Sequence, residues 1–116
     1  MLRITLIVLH LFLITSVAVS GQTSDKIIEY RPTVRLAPQY PFRAIEEKIE
    51  GFVVVSFTID TEGNTKNIRA VDSSHKMFER NTIKAVERFK FRPRTINGIP
   101  VEVDNVTNKI EFGFEH

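Results

Sequence analysis

The chain has 116 residues, 42% of them hydrophobic and 26% charged, with no Cys and a formal net charge of +2. That length holds one domain. Without Cys there is no disulfide framework and no lipid attachment of the lipoprotein kind, and so near a balance of charge gives no case for nucleic-acid binding.

Residues 4–19 carry no formal charge at neutral pH, Arg3 precedes them, and Ala18-Val19-Ser20 follows the small-x-small pattern of a signal-peptidase site. A basic start, an apolar stretch and a small-residue exit describe a secretory signal peptide over residues 1–20. The stretch is shorter than the roughly 20 apolar residues that span a bilayer, so cleavage is favoured over a short anchor. Its removal takes Arg3 and one net positive charge with it. Residues 21–37 show no sustained period and read as a linker with one short extended piece at 27–31.

The domain is expected over residues 38–116. Phe42, Ile45 and Ile49 fall on one helical face behind Pro41, which suits a first turn because its missing N–H has no partner there. Gly51 fits the position after that helix. Val53, Val55, Phe57 and Ile59 then alternate with Val54, Ser56, Thr58 and Asp60, the period of a strand with one buried face. A tight turn at residues 61–64 returns the chain in a weaker strand over 65–72, and the two form a hairpin. Ser73 and Ser74 offer hydroxyl caps for a second helix within 76–90. Its face is Phe78, Thr82, Ala85, Val86 and Phe89, and Arg92-Pro93 ends it. Asn97-Gly98 marks a turn, and Pro100 opens the last strand. There Val101 and Val103 are odd, whereas Val106, Ile110, Phe112 and Phe114 are even, which requires a bulge or bend near Asp104-Asn105.

The order α-β-β-α-β predicts an α+β fold, a small three-stranded antiparallel sheet with two helices on one face. The hairpin makes the first two strands neighbours, so the C-terminal strand lies at a sheet edge.

Catalytic patterns are missing. His10, His75 and His116 are not paired at metal-ligand spacing. Ser56 has no Gly-x-Ser-x-Gly elbow, and no Gly-rich phosphate loop exists. Glu46 and Glu47 point about 100° apart on a helix and read as a solvated face. The alternation of Arg88, Lys90, Arg92 and Arg94 with Phe89 and Phe91 reads as core aromatics between wet cations. No enzyme, metal, cofactor, small-molecule substrate or nucleic-acid partner is expected. What remains is the edge strand, which is either blunted by Lys109, Glu111 and the bulge or left open to receive a partner's strand.

Several runs together resemble a known family. They are Gln39-Tyr40-Pro41-Phe42-Arg43-Ala44, Glu50-Gly51 with the following strand, Asp60-x-x-Gly63, Asn67 and Ser73. Met77-Phe78-Glu79-Arg80, Ala85, Phe89-Lys90-Phe91-Arg92-Pro93, Gly98-Ile99-Pro100-Val101 and Ile110-Glu111-Phe112 continue the set. In this order, over about residues 38–114, they resemble the TonB C-terminal domain family. The resemblance implies a periplasmic module that grips the box peptide of an outer-membrane TonB-dependent transporter in energy-coupled transport. It implies contacts at Gln39, Tyr40 and Pro41 and strand addition along Val106, Thr107, Asn108, Lys109, Ile110, Glu111 and Phe112. Phe89 stands where the family often has Trp. Unlike TonB proper, Leu6 to His10 lacks a Ser four residues before the His, and fewer than about 20 residues separate Ser20 from Pro38, which reach about 60 Å at most. A free periplasmic interaction domain with another envelope partner, and without energy transduction, is the alternative. A homodimer through the edge strand is compatible with either.

Overall fold

The computed structural model describes residues 24–115. The expected signal peptide lies outside them. Among the described residues no helix is long and apolar enough to cross a membrane.

The elements are β1 (Ile27–Ile28), β2 (Arg31–Val34), α1 (Phe42–Glu46), β3 (Gly51–Ile59), β4 (Thr65–Ser73), a 3-10 turn (Lys76–Phe78), α2 (Glu79–Val86), β5 (Lys90–Arg92), β6 (Arg94–Ile96), β7 (Ile99–Val101) and β8 (Val103–Phe112). The main sheet has the order β4-β3-β8, all antiparallel. The expected hairpin and the peripheral last strand are therefore both present. The expectation of a single sheet needs correction. Among the described residues β1-β6-β7 and β2-β5 form two further small sheets. Part of the segment read as linker thus lies in strands, with Ile27 opposite Ile96 and Arg31 opposite Arg92. The extended piece expected at 27–31 is thus present in part as β1 and the start of β2, but its pairings are non-local, and nothing in residues 24–34 alone names the partners.

β3 is the central strand because its alternation is the strongest in the chain. Val53, Val55, Phe57 and Ile59 are buried, and they join Phe78, Ala85, Val86, Phe89, Phe91, Val103, Val106, Ile110 and Phe112 in one core. The hairpin turn depends on Gly63, whose φ of +86° favours glycine and whose Cβ would meet the Phe91 carbonyl oxygen at 1.9 Å. The predicted bulge exists. Phe57 pairs with Val106 but Ile59 pairs with Val103, so one extra residue sits on β8, and Asn105 takes a φ of +55°. Thr58 Oγ1 donates to Asp104 Oδ1 at 3.0 Å across this irregularity.

Five local expectations are corrected. α1 buries Ala44, while Phe42 is 74% and Ile45 48% exposed. A helix of this length (five residues) makes little more than one turn, and its contact is set by the chain on either side. Lys48, with φ +54°, takes the left-handed position that follows α1. Gly51 instead opens β3, where a Cβ would meet Ser74 Oγ at 2.0 Å and the Phe78 ring at 2.8 Å. Neither Ser73 nor Ser74 caps the second helix. Ser74 Oγ accepts from the Phe52 N–H at 2.8 Å, and Ser73 Oγ donates to Glu79 Oε2 at 2.6 Å. α2 ends at Val86, before Arg92-Pro93, because Lys90–Arg92 is drawn into pairing with β2. Its predicted face is nonetheless buried throughout. Pro100 lies inside β7 opposite Thr95, so Val101 and Val103 belong to different strands. Asn97 and Gly98, both at positive φ, make the tight β6-β7 turn.

Candidate functional site

β8 pairs with β3 without interruption from Val106 opposite Phe57 to Phe112 opposite Gly51, seven consecutive pairs. Among the described residues its other side has no strand neighbour. Phe52 reveals which backbone groups face that free side. Its N–H donates to Ser74 Oγ at 2.8 Å and its carbonyl accepts from the Ser74 N–H at 3.0 Å. Both groups of Phe52 therefore point away from β8. Backbone direction alternates along an antiparallel strand, so Val53, Val55 and Phe57 bond to Ile110, Asn108 and Val106. Glu111, Lys109 and Thr107 turn their N–H and carbonyl groups to the open edge. The side chains follow the same parity. Val106, Ile110 and Phe112 enter the core, and Thr107, Lys109 and Glu111 are exposed.

The charged side chains of this edge neutralise one another locally. Lys109 Nζ lies 3.7 Å from Glu111 Oε1 and 4.7 Å from the centre of the Phe52 ring. Both are well exposed, so the pair contributes little to stability. They stand on the sheet face opposite the core.

Beside the edge runs a strap, formed by the end of the segment expected as linker. Arg35, Leu36, Ala37 and Pro38 face Phe89, Lys109, Ile110 and Glu111 across a groove of about 270 Å³. The strap is held by the Arg35 guanidinium, 5.8 Å over the Phe89 ring, and by Asn81 Nδ2, which donates to the Gln39 carbonyl at 2.8 Å. No periodicity marks these residues, because their conformation is imposed by what they lie against.

Of the predicted approach residues, Gln39 is exposed and Pro41 precedes α1, its carbonyl accepting from the Ile45 N–H at 3.1 Å. Tyr40 is half-buried. Its hydroxyl donates to the Ile49 carbonyl at 2.5 Å, and its ring meets Phe78 and Phe112 edge-on and stacks on Phe114 at 4.8 Å. Phe78 and Phe112 stack on each other at 4.3 Å. Burial, and then the Glu50 carboxylate, push the Tyr40 phenol above its usual range, which keeps it a neutral donor. Tyr40 thus joins the two predicted segments by packing the chain before α1 onto the end of β8. Phe114 belongs to this cluster as well. Its even phase with Phe112 was the signal for it.

The arrangement offers a regular strand edge beside a groove. The model of the family described as Gram-negative bacterial TonB protein C-terminal matches residues 37–114. Protein TonB of Vibrio cholerae is 30% identical over 88 residues, covering 72% of this chain and 36% of its own length. The chain spans about a third or less of the length of the first curated relatives it matches. Among solved structures, the TonB C-terminal domain of Pseudomonas aeruginosa superposes with a TM-score of 0.62 at 28% identity, covering 76% of this chain and 89% of that one. The TonB2 protein of Vibrio anguillarum gives 0.57 at 35% identity, with 83% and 91% covered. A family match over most of the described residues, agreeing in order with the fold, shows that this chain belongs to the TonB C-terminal domain family.

Proposed function

We propose that the domain is a periplasmic binding module in envelope transport that receives an extended segment of an outer-membrane TonB-dependent transporter as an added strand on β8. The observation that carries this reading is the bulge-free run from Val106 to Phe112, with the backbone groups of Thr107, Lys109 and Glu111 turned outward. Strand addition draws affinity from main-chain hydrogen bonds and specificity from alternate side chains. Here the alternate side chains of an added strand would fall between Ile110 and the strap, against Leu36, Ala37 and Pro38. Gln39 remains available beside the strap as a further contact, whereas Tyr40 and Pro41 act by holding the strap and α1 in place. No part of this role calls for catalysis.

Thr107→Pro removes one outward N–H without altering charge. The test is titration of a transporter box peptide into this variant. Binding is expected to be lost while circular dichroism stays that of the wild type. A folded Thr107→Pro variant that binds as well as wild type would overturn strand addition at this edge.

One observation favours the second reading, a free interaction domain without energy transduction. Residues 27–34 are paired into the fold, which shortens the tether available between Ser20 and the domain. Pull-down with isolated transporter plug domains, against pull-down with total envelope protein, separates the two.

A further inference from the structure

The two small ladders away from the main sheet act as one ribbon. Ile27 and Ile28 lie opposite Ile96 and Thr95, and Arg31 and Pro32 lie opposite Arg92 and Phe91. Two residues separate the ladders on each strand, so the register carries through from one to the other. Glu29 and Arg94 thus stand opposite one another, and Arg94 Nε donates to Glu29 Oε1 at 2.6 Å. Side chains alternate along a strand, so Ile27, Glu29 and Arg31 share one face with Ile96, Arg94 and Arg92. Ile99, opposite Ile96, joins that face. Phe91 is buried on the other side, where Tyr30 meets it edge-on. The outward face therefore carries a row of three Ile at the end with the Asn97-Gly98 turn. Four residues along the strand, at about 13 Å, it carries a pair of Arg.

Neither row is satisfied within the chain. Ile27 is 55% and Ile99 67% exposed, and apolar groups clustered at a surface mark contact sites. Like charges directly opposite destabilise a sheet. Arg31 and Arg92 are such a pair, both exposed, and neither has an acidic partner among the described residues. Glu29 is neutralised by Arg94, whose guanidinium also lies 5.9 Å over the Tyr30 ring. Asp25, beside Lys26 at the turn, accepts from Asn97 Nδ2 at 3.0 Å. The face is therefore net positive. Its occupant must offer anions to the Arg pair and hydrocarbon to the Ile row, at two depths along one ribbon. An anionic bilayer does so, because its phosphates lie outside its acyl chains. We infer that this ribbon docks on an anionic lipid surface, with Ile27, Ile96 and Ile99 entering the interface and Arg31 and Arg92 meeting the phosphates behind them. The inference does not depend on strand addition at β8, which involves other strands.

The experiment measures co-flotation of the full chain with vesicles of phosphatidylcholine alone and of phosphatidylcholine with equimolar phosphatidylglycerol. Every variant carries the same N-terminus, so residues 4–19 contribute equally throughout. The wild type is expected to partition about twentyfold more strongly to the anionic vesicles, and less so as salt is raised. Arg31→Gln and Arg92→Gln should each weaken that binding about fivefold. Both should melt at or above the wild-type temperature, since the like-charge pair is gone. Lys84→Gln, which removes a cation from α2, should leave binding unchanged. Ile99→Ser should weaken it about tenfold at every salt concentration, and Ile27→Ser repeats that test on another strand. A wild type that prefers neither vesicle overturns the inference. So does a Lys84→Gln variant that loses as much as Arg31→Gln, because net charge would then suffice. If the Arg variants lose binding while both Ser variants bind as the wild type does, the face is a general polyanion site and lipid is the wrong occupant. If sedimentation shows self-association that Ile99→Ser abolishes, a second copy covers the Ile row, which also overturns the inference.

Discussion

The two edges of the main sheet are built differently, although both flank β3. β4 slips register twice against β3, between Val54 and Val55 and again between Ser56 and Thr58, with Asn67 at a φ of +53°. β8 slips once, near Asn105, and then keeps register for the seven pairs that follow. Bulges re-aim backbone groups and blunt an edge against further pairing. By this measure β4 is protected along most of its length and β8 only at its beginning. A second difference concerns parity. The outward backbone groups of β8 belong to residues whose side chains are in solvent, Thr107, Lys109 and Glu111. On β4 the outward groups include those of Ala70, which packs against the core. A strand could add to β8 without disturbing the core, and only β8 presents a ladder long enough to read it.

The largest expected effect tests the strand common to both edges. Phe57 is 1% exposed, and Phe57→Ala should destabilise the domain by about 3–5 kcal/mol. A thermal melt near that of the wild type would refute the central position of β3 on which the comparison depends. Next comes the parity of β8. Asn108 bonds inward opposite Val55, so Asn108→Pro breaks an internal ladder bond and should destabilise by about 3 kcal/mol. Thr107→Pro should melt within a few degrees of wild type and fail only in peptide binding. Reversed behaviour of the two variants would reverse the assignment of outward groups. The same substitution on the other edge sharpens the contrast. Ala70→Pro is expected to lower the melting temperature and to leave peptide affinity unchanged. Loss of binding in a folded Ala70→Pro variant would make β4 the receiving edge.

The smallest effect concerns the aromatic cluster that ties the chain before α1 to the end of β8. Burial, followed by the charge of Glu50, raises the folded-state pKa of Tyr40 above its ordinary value of 10.0. Its contribution is therefore fully present below pH 10 and is lost as pH rises through the raised value. Wild-type melting temperature should fall over that alkaline range more steeply than that of Tyr40→Phe, which has no proton to lose. Lys66 follows the same sign. Its hydrogen bond to Glu102 raises its pKa above the usual lysine value, and the contribution disappears as pH rises through it. Lys66→Met should flatten a separate part of the alkaline slope without affecting peptide binding. Parallel slopes for wild type and both variants would mean that neither group senses the fold.

The sequence by itself determined the elements whose signal is local and strong. The alternation of Val53, Val55, Phe57 and Ile59 set the central strand and its buried face. Gly63 marked the turn, and the odd-to-even switch between Val103 and Val106 located the bulge. The short hairpin then left the C-terminal strand at an edge. Each of these rests on period two or on a residue that a particular backbone conformation demands. Tertiary structure alone decided the rest. Five residues of α1 cannot express a helical period, so the common core took Ala44 and left Phe42 and Ile45 in solvent. The extended piece legible at 27–31 became two strands, Ile27–Ile28 and Arg31–Val34, and α2 stopped at Val86, because partners some sixty residues apart in the chain found each other. The strap at Arg35–Pro38 has no period at all. It exists only where distant segments come to lie side by side, which no local pattern of residues encodes.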